Sequence, residues 1–148
     1  VRRGRPDVQD PKLNTHSKHN CIQACIQATK AGADEALMLD PQGFVATCNS
    51  THFFIVRRGE VWTSTGDYCL DGITRGAVIE AAERAGITVR QRNFNLSDVY
   101  SADEAFVTGT YAGLTSVGSV DGRELDGPFP GPMVARLTDL YQALAKES

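Results

Sequence analysis

Apolar residues in this chain come in short bursts separated by turn residues, and that pattern restricts the fold more than any other feature. Phe44 to Cys48, Phe53 to Val56, Val61 to Ser64, Ile87 to Arg92 and Glu104 to Val107 each have the length and residue types of a strand. Asp40-Pro41-Gln42-Gly43 and Arg58-Gly59-Glu60 read as turns, and Asp121-Gly122, within Val117 to Leu125, is the commonest two-residue hairpin signal. Longer stretches with helical spacing lie among these bursts. One opens at Ser17, puts Cys21, Ile22, Cys25, Ile26 and Ala28 on a broad inward face, and stops at Gly32. A second follows Arg75, with Val78, Ile79, Ala82 and Ala85 inward and Gly86 as its stop. A third starts near Pro132 and buries Met133, Val134, Leu137, Leu140, Tyr141 and Leu144. A short polar helix is expected over Ser97 to Ser101. Hairpins this frequent, alternating irregularly with helices, predict a mixed α/β (α+β) domain: a curved mixed sheet or pseudo-barrel with flanking helices.

With 148 residues, 41% hydrophobic and 22% charged, the chain can bury one ordinary globular core. No apolar run approaches the ~20 residues of a membrane span. A net charge of -3 gives no general attraction to nucleic acid. The 4 cysteines lack any CxxC spacing, and with His16, His19 and His52 they form no metal-ligand pattern; they are expected to be small buried residues. Residues 1 to 11 are polar and aperiodic and read as a linker or extended lead-in; the basic start lacks the apolar stretch of a signal peptide. A reducing cytoplasm is the expected setting. Among the 15 basic residues, the only lysines are Lys12, Lys18, Lys30 and Lys146, so any lysine chemistry must use one of them.

Gly72-Ile73-Thr74-Arg75 is the most informative local string. A glycine allows close backbone approach, and the residues after it open a helix whose first amides have no carbonyl partners. Those amides and the helix dipole favour a phosphate or carboxylate, with the Thr74 hydroxyl as a further donor. The plainer alternative is an ordinary helix start capped by Thr74. Thr108-Gly109-Thr110 has the same character: a strand end with glycine between hydroxyls. Neither string has nucleotide-loop spacing.

Taken in order, Glu35-Ala36-Leu37-Met38-Leu39-Asp40, Gly43-Phe44-Val45, Phe53 to Val56, Leu70-Asp71-Gly72-Ile73-Thr74-Arg75 and Ala102 to Thr110 resemble the class IV pyridoxal-phosphate aminotransferases. That family includes branched-chain and D-amino-acid aminotransferases and aminodeoxychorismate lyases. The resemblance covers roughly residues 10 to 148 and corresponds to the family's larger, C-terminal domain, here residues 12 to 148. The smaller N-terminal domain, which closes the active site and adds a phosphate-binding arginine, has no counterpart in the chain. The resemblance implies pyridoxal 5'-phosphate as cofactor, an amino acid and a 2-oxo acid as substrates, and a homodimer. It also implies that the amides of Ile73 and Thr74, beside Gly72, hold the cofactor phosphate together with Thr110, beside Gly109. Arg75 is expected to be a structural neighbour.

Several positions depart from the family pattern. The Schiff-base lysine position falls on Asn14, whose amide cannot replace an amine. Lys18, at the place of the tyrosine that contacts the ring hydroxyl, and Lys12, two residues before Asn14, are the candidate catalytic lysines. The carboxylate that pairs with the pyridine nitrogen falls on Thr47, and a common asparagine falls on His52, a candidate acid or base. A hydroxyl at 47 would leave the nitrogen unprotonated, which suits elimination or slow proton transfer. The expected activity is transfer of an amino group from a branched-chain-like amino acid. The alternative is a lyase-type, anion-binding or non-catalytic relative.

Overall fold

The computed structural model describes residues 19–48, 51–65, 72–109, 113–125 and 127–147. Along the chain run α1 (His19–Lys30), β1 (Leu37–Leu39), β2 (Val45–Cys48), β3 (His52–Arg57), β4 (Glu60–Thr63), α2 (Ile73–Arg84) and β5 (Val89–Gln91). Then follow α3 (Leu96–Tyr100), β6 (Glu104–Gly109), β7 (Gly113–Val117), β8 (Ser119–Val120), β9 (Arg123–Glu124) and α4 (Pro132–Glu147). The main sheet has the order β5-β4-β3-β6-β7, antiparallel except where β4 pairs in parallel with β5. β1 and β2 form a separate antiparallel pair, and β8 and β9 another. The mixed sheet and flanking helices are those the sequence predicts.

Strand alternation divides the core in two. On one face Phe54, Val56, Val61 and Phe106 meet Val78, Ile79 and Ala82 of α2 and Val134 and Leu137 of α4. Phe54 and Phe106 stack at a centroid distance of 4.8 Å. On the other face Phe53, Ile55, Trp62 and Ala105 pack under Val45 of β2, Phe94, and Val99 and Ala102 around α3. The turns have specific causes. Arg58 and Gly59 take φ of 52° and 78°, and Asp121 and Gly122 take 54° and 75°, the left-handed pairs that let a two-residue turn follow sheet twist. Before β2, Oδ1 of Asp40 accepts from the amides of Gln42 and Phe44, both at 2.9 Å.

The sequence reading differs from the structure in several places. β7 was not anticipated: its Gly113-Leu114-Thr115-Ser116-Val117 is a half-exposed edge strand with little apolar contrast. α2 begins at Ile73 instead of after Arg75, and Gly72 is its N-cap with no side-chain cap, so Thr74 is not the cap. The inward face expected for α1 is also corrected. From Cys25 to Lys30 only Ala28 is buried, and Ile26 is 52% exposed, because no described residue of the chain covers that side. The lead-in over residues 1 to 11 lies outside the described residues. No described helix is long and apolar enough to cross a membrane.

The two cysteines whose environment is described, Cys25 and Cys48, differ in burial. Cys48 is buried, and its thiol is pushed from an ordinary 9.0 up to about 12, first by burial and then by the charge of Glu35; a hydrogen bond with Thr51 opposes the rise. Cys25 is exposed. Alkylation of the native protein at pH 8, read by peptide mass spectrometry, is expected to modify Cys25 and spare Cys48. Equal labelling of both would contradict the burial of β2. The sign for stability follows from the same shift: the contribution of Cys48 is complete below the unfolded pKa and is lost as pH rises toward 12.

Candidate active site

Both strings singled out for anion binding reach one end of the main sheet. Gly72 caps α2 with φ -78° and ψ 132°, and it makes no side-chain cap hydrogen bond. The first backbone bond of the helix is from the Gly76 amide to the Gly72 carbonyl, at 3.0 Å. The amides of Ile73, Thr74 and Arg75 thus precede the helical ladder and point out of its end. Ile73 is 91% exposed, so it can contribute its amide while its side chain faces away; Thr74 is buried, only 8% exposed.

Beneath this helix end lies the start of β3. A Cβ on Gly72 would stand 2.5 Å from Nε2 and 2.7 Å from Cδ2 of His52, so the imidazole sits directly against the cap. His52 pairs across the sheet with Thr108 of β6, and both side chains lie on the face that α2 covers. Thr108 is completely buried, and its hydroxyl has no hydrogen-bond partner among the described residues. A buried hydroxyl left unsatisfied costs about 1–3 kcal/mol, so a bound group that reached it would remove that cost. The next residue, Gly109, brings its backbone beside Thr51: a Cβ there would lie 3.3 Å from the Thr51 methyl.

Thr51 joins the remaining pieces. Its carbonyl accepts from the Thr47 hydroxyl at 2.8 Å and from the Cys48 amide at 3.0 Å, and its hydroxyl donates to Oε2 of Glu35 at 2.5 Å. The hydroxyl proton of Thr47 is thereby committed, and toward any further group this side chain offers only lone pairs. Thr51 and Glu35 were not singled out from the sequence. Neither has a residue-type signal, and Thr51 acts mostly through its carbonyl.

Arg75 is buried and donates to the Ser64 carbonyl at 2.8 Å and to Oε1 of Gln91 at 3.2 Å, anchoring the first turn of α2 to the β4 and β5 edge. The structure thus brings Gly72, Ile73 and Thr74 to the His52, Thr108 and Gly109 end of the sheet, with Thr47 linked to that end through Thr51. Lys12, Lys18, Asn14 and Thr110 lie outside the described residues. Lys30 and Lys146 are exposed in the last turns of α1 and α4.

Comparison with known proteins identifies the lineage. The chain is 37% identical over 148 residues to branched-chain-amino-acid aminotransferase-like protein 2 of Arabidopsis thaliana, covering 100% of this chain but 26% of that protein. It is 38% identical over 122 residues to the branched-chain-amino-acid aminotransferase of Pseudomonas aeruginosa, covering 82% of this chain and 40% of the relative. Among solved structures, the branched-chain amino acid aminotransferase of Thermobaculum terrenum in its PLP form superposes with a TM-score of 0.91 at 33% identity, covering 99% of this chain and 49% of that one. An aminotransferase from Brucella abortus bound to PLP gives a TM-score of 0.91 at 30% identity, covering 99% and 52%. The chain therefore spans about half the length of these solved structures, or less of the curated relatives. The family amino-transferase class IV matches residues 1–120, and the chain belongs to that family.

Proposed function

We propose that this chain is the larger, cofactor-binding domain of a pyridoxal-phosphate enzyme that moves an amino group between a branched-chain-like amino acid and a 2-oxo acid. Residues 12 to 148 form that domain, residues 1 to 11 link it to a smaller domain outside this chain, and the working protein is a homodimer. The observation that carries the reading is the uncapped α2 start meeting the unsatisfied Thr108 hydroxyl and Gly109 at one sheet end. Donors without partners and glycine backbone suit the phosphate end of the cofactor. The Ile73 and Thr74 amides would hold the phosphate beside Gly72, with Gly109 nearby and Thr110 as the further contact that the family resemblance implies.

When bound, pyridoxal phosphate supplies an aldehyde that accepts an amino group and a ring that withdraws electrons from the substrate carbon. This chain's own residues fix the position of that group and move protons. Lys18, or else Lys12, would hold the cofactor through its amine and would carry a proton at Nζ. Thr47, its proton held by the Thr51 carbonyl, would offer a cofactor ring nitrogen only lone pairs and no donated proton.

The test uses the full-length protein with pyridoxal phosphate. An absorbance band that borohydride converts to a stable lysine adduct is expected, mapped by mass spectrometry to Lys18 or Lys12. Amino transfer from a branched-chain amino acid should then disappear on substitution of that lysine by alanine. A second reading, an altered-chemistry or non-catalytic relative, is favoured by Asn14 at the family's lysine position and by the committed Thr47 hydroxyl. Cofactor binding with neither adduct nor transfer would select that second reading. Absence of binding would overturn both.

A smaller effect is expected from Thr108→Val, which keeps the shape and removes the unsatisfied hydroxyl. Without ligand, the variant should gain up to about 1–2 kcal/mol in denaturant unfolding. Unchanged or reduced stability would show that the hydroxyl is satisfied in the native protein.

A further inference from the structure

We propose that His52 is a positioning residue that makes anion binding at the α2 end depend on pH, its protonated imidazole adding the positive charge that the neutral amides lack. This rests on the reading of that helix end as the cofactor phosphate site, and it adds a control that the amides alone cannot give.

α2 is a 12-residue helix whose N-cap, Gly72, makes no side-chain cap hydrogen bond. Nε2 of His52 lies 2.5 Å from where a Cβ on Gly72 would stand, so the ring occupies the place a side chain at the cap would fill. Any anion on the Ile73 and Thr74 amides is therefore a near neighbour of the imidazole. The fully buried Thr108 hydroxyl, paired across the sheet from His52 and without a partner, is a second, independent sign that this end is built around a polar group.

The charged and titratable groups on the surrounding elements set the balance. From α2, Cβ of Arg75 lies 3.4 Å from the same Gly72 point, but its guanidinium is turned away to the Ser64 carbonyl and Gln91. Beyond Thr51 stand Glu35, bonded to the Thr51 hydroxyl, and the buried Cys48 thiol of β2. β6 offers the uncharged Thr108. Among the described residues there, His52 is the group whose ordinary range spans pH 5 to 8. An anion favours the imidazolium, and reciprocally the imidazolium favours the anion. Affinity should therefore rise as pH falls through the histidine range.

Sulfate is the probe, because it remains a dianion throughout this range. Its affinity for the full-length, cofactor-free protein is measured at pH 5.5 and pH 8, together with the His52 ring titration by NMR. The wild-type protein should bind sulfate about tenfold more tightly at pH 5.5, and sulfate should raise the ring's pKa by about one unit, the same free energy read twice. His52→Gln should still bind sulfate, at the wild-type pH 8 strength and without the pH dependence. A wild-type affinity that does not change with pH, or an equal slope in His52→Gln, overturns the role of His52 while leaving the anion site intact. A protein that binds neither sulfate nor pyridoxal phosphate at either pH overturns the underlying reading instead, and this inference with it.

Discussion

Gly72→Ala is expected to weaken pyridoxal phosphate binding about thirtyfold while leaving the far-ultraviolet circular dichroism of the protein unchanged. The added methyl would stand 2.5 Å from Nε2 and 2.7 Å from Cδ2 of His52, closer than van der Waals contact permits. Relief requires the imidazole to swing away or the first turn of α2 to lift. The ring has only two side-chain torsions and sits on a paired strand, while Arg75 anchors that turn to the Ser64 carbonyl and Gln91. Overpacking of this kind costs about 1–3 kcal/mol. If about 2 kcal/mol of that appears as lost phosphate binding, affinity falls about thirtyfold.

The control is the double variant Gly72→Ala with His52→Ala, compared with His52→Ala alone at pH 8, where a neutral imidazole adds no charge. With the opposing ring removed, alanine at 72 should cost less than about threefold in affinity. A penalty as large as in the single variant would place the cause in backbone conformation instead. That result would be unexpected, because the φ of -78° and ψ of 132° at Gly72 are open to any residue. Wild-type affinity in Gly72→Ala would mean that the cofactor phosphate does not sit on this helix end.

The elements legible in the sequence were those whose side chains report their own surroundings. α2 and α4 carried their buried residues at helical spacing, and Val78, Ile79, Ala82, Val134 and Leu137 are in the core. The hairpins were marked by Gly59 and by Asp121-Gly122, residue types that tolerate positive φ, whereas Arg58 takes its φ of 52° from the turn itself. The anion strings were legible for the same reason: glycine and threonine at a strand end or helix start restrict what the backbone can do. What the sequence hid depends on contacts between distant segments. The link from Thr47 through Thr51 to Glu35 spans β2, a loop and the segment before β1, and its central acceptor is a carbonyl that every residue possesses. β7 escaped because an edge strand is held by pairing to β6, which requires no apolar alternation. α1 misled for the opposite reason: its apolar spacing is real, but the described part of the chain offers nothing to cover Ile26.

Glu104 is another residue that spacing could not explain, and Glu104→Ala is expected to lower stability by about 3–4 kcal/mol. A glutamate on a central strand, buried at 7%, should be costly. Here it is held by the start of α4. Its Oε2 accepts from the Met133 amide at 3.1 Å and its Oε1 from the Val134 amide at 3.0 Å, so one carboxylate from β6 caps a helix that begins with Pro132. Each such charge-assisted bond contributes about 1.5–3 kcal/mol, and the negative charge also faces the positive end of the helix dipole. Alanine removes these contributions together and leaves the buried Val134 amide and the part-buried Met133 amide without this acceptor. For a chain of this length the loss corresponds to a fall of roughly 10 °C in Tm. Glu104→Gln separates charge from shape: its amide oxygen can serve one N–H, while its NH2 group opposes the other, so about half the loss is expected. Gly131→Ala should resemble the alanine variant without altering the carboxylate, because a Cβ there would overlap Oε1. Denaturant unfolding of all these variants decides the matter. If Glu104→Ala costs less than about 1 kcal/mol, the α4 amides find other acceptors and the strand-to-helix cap is not what fixes α4 over the sheet.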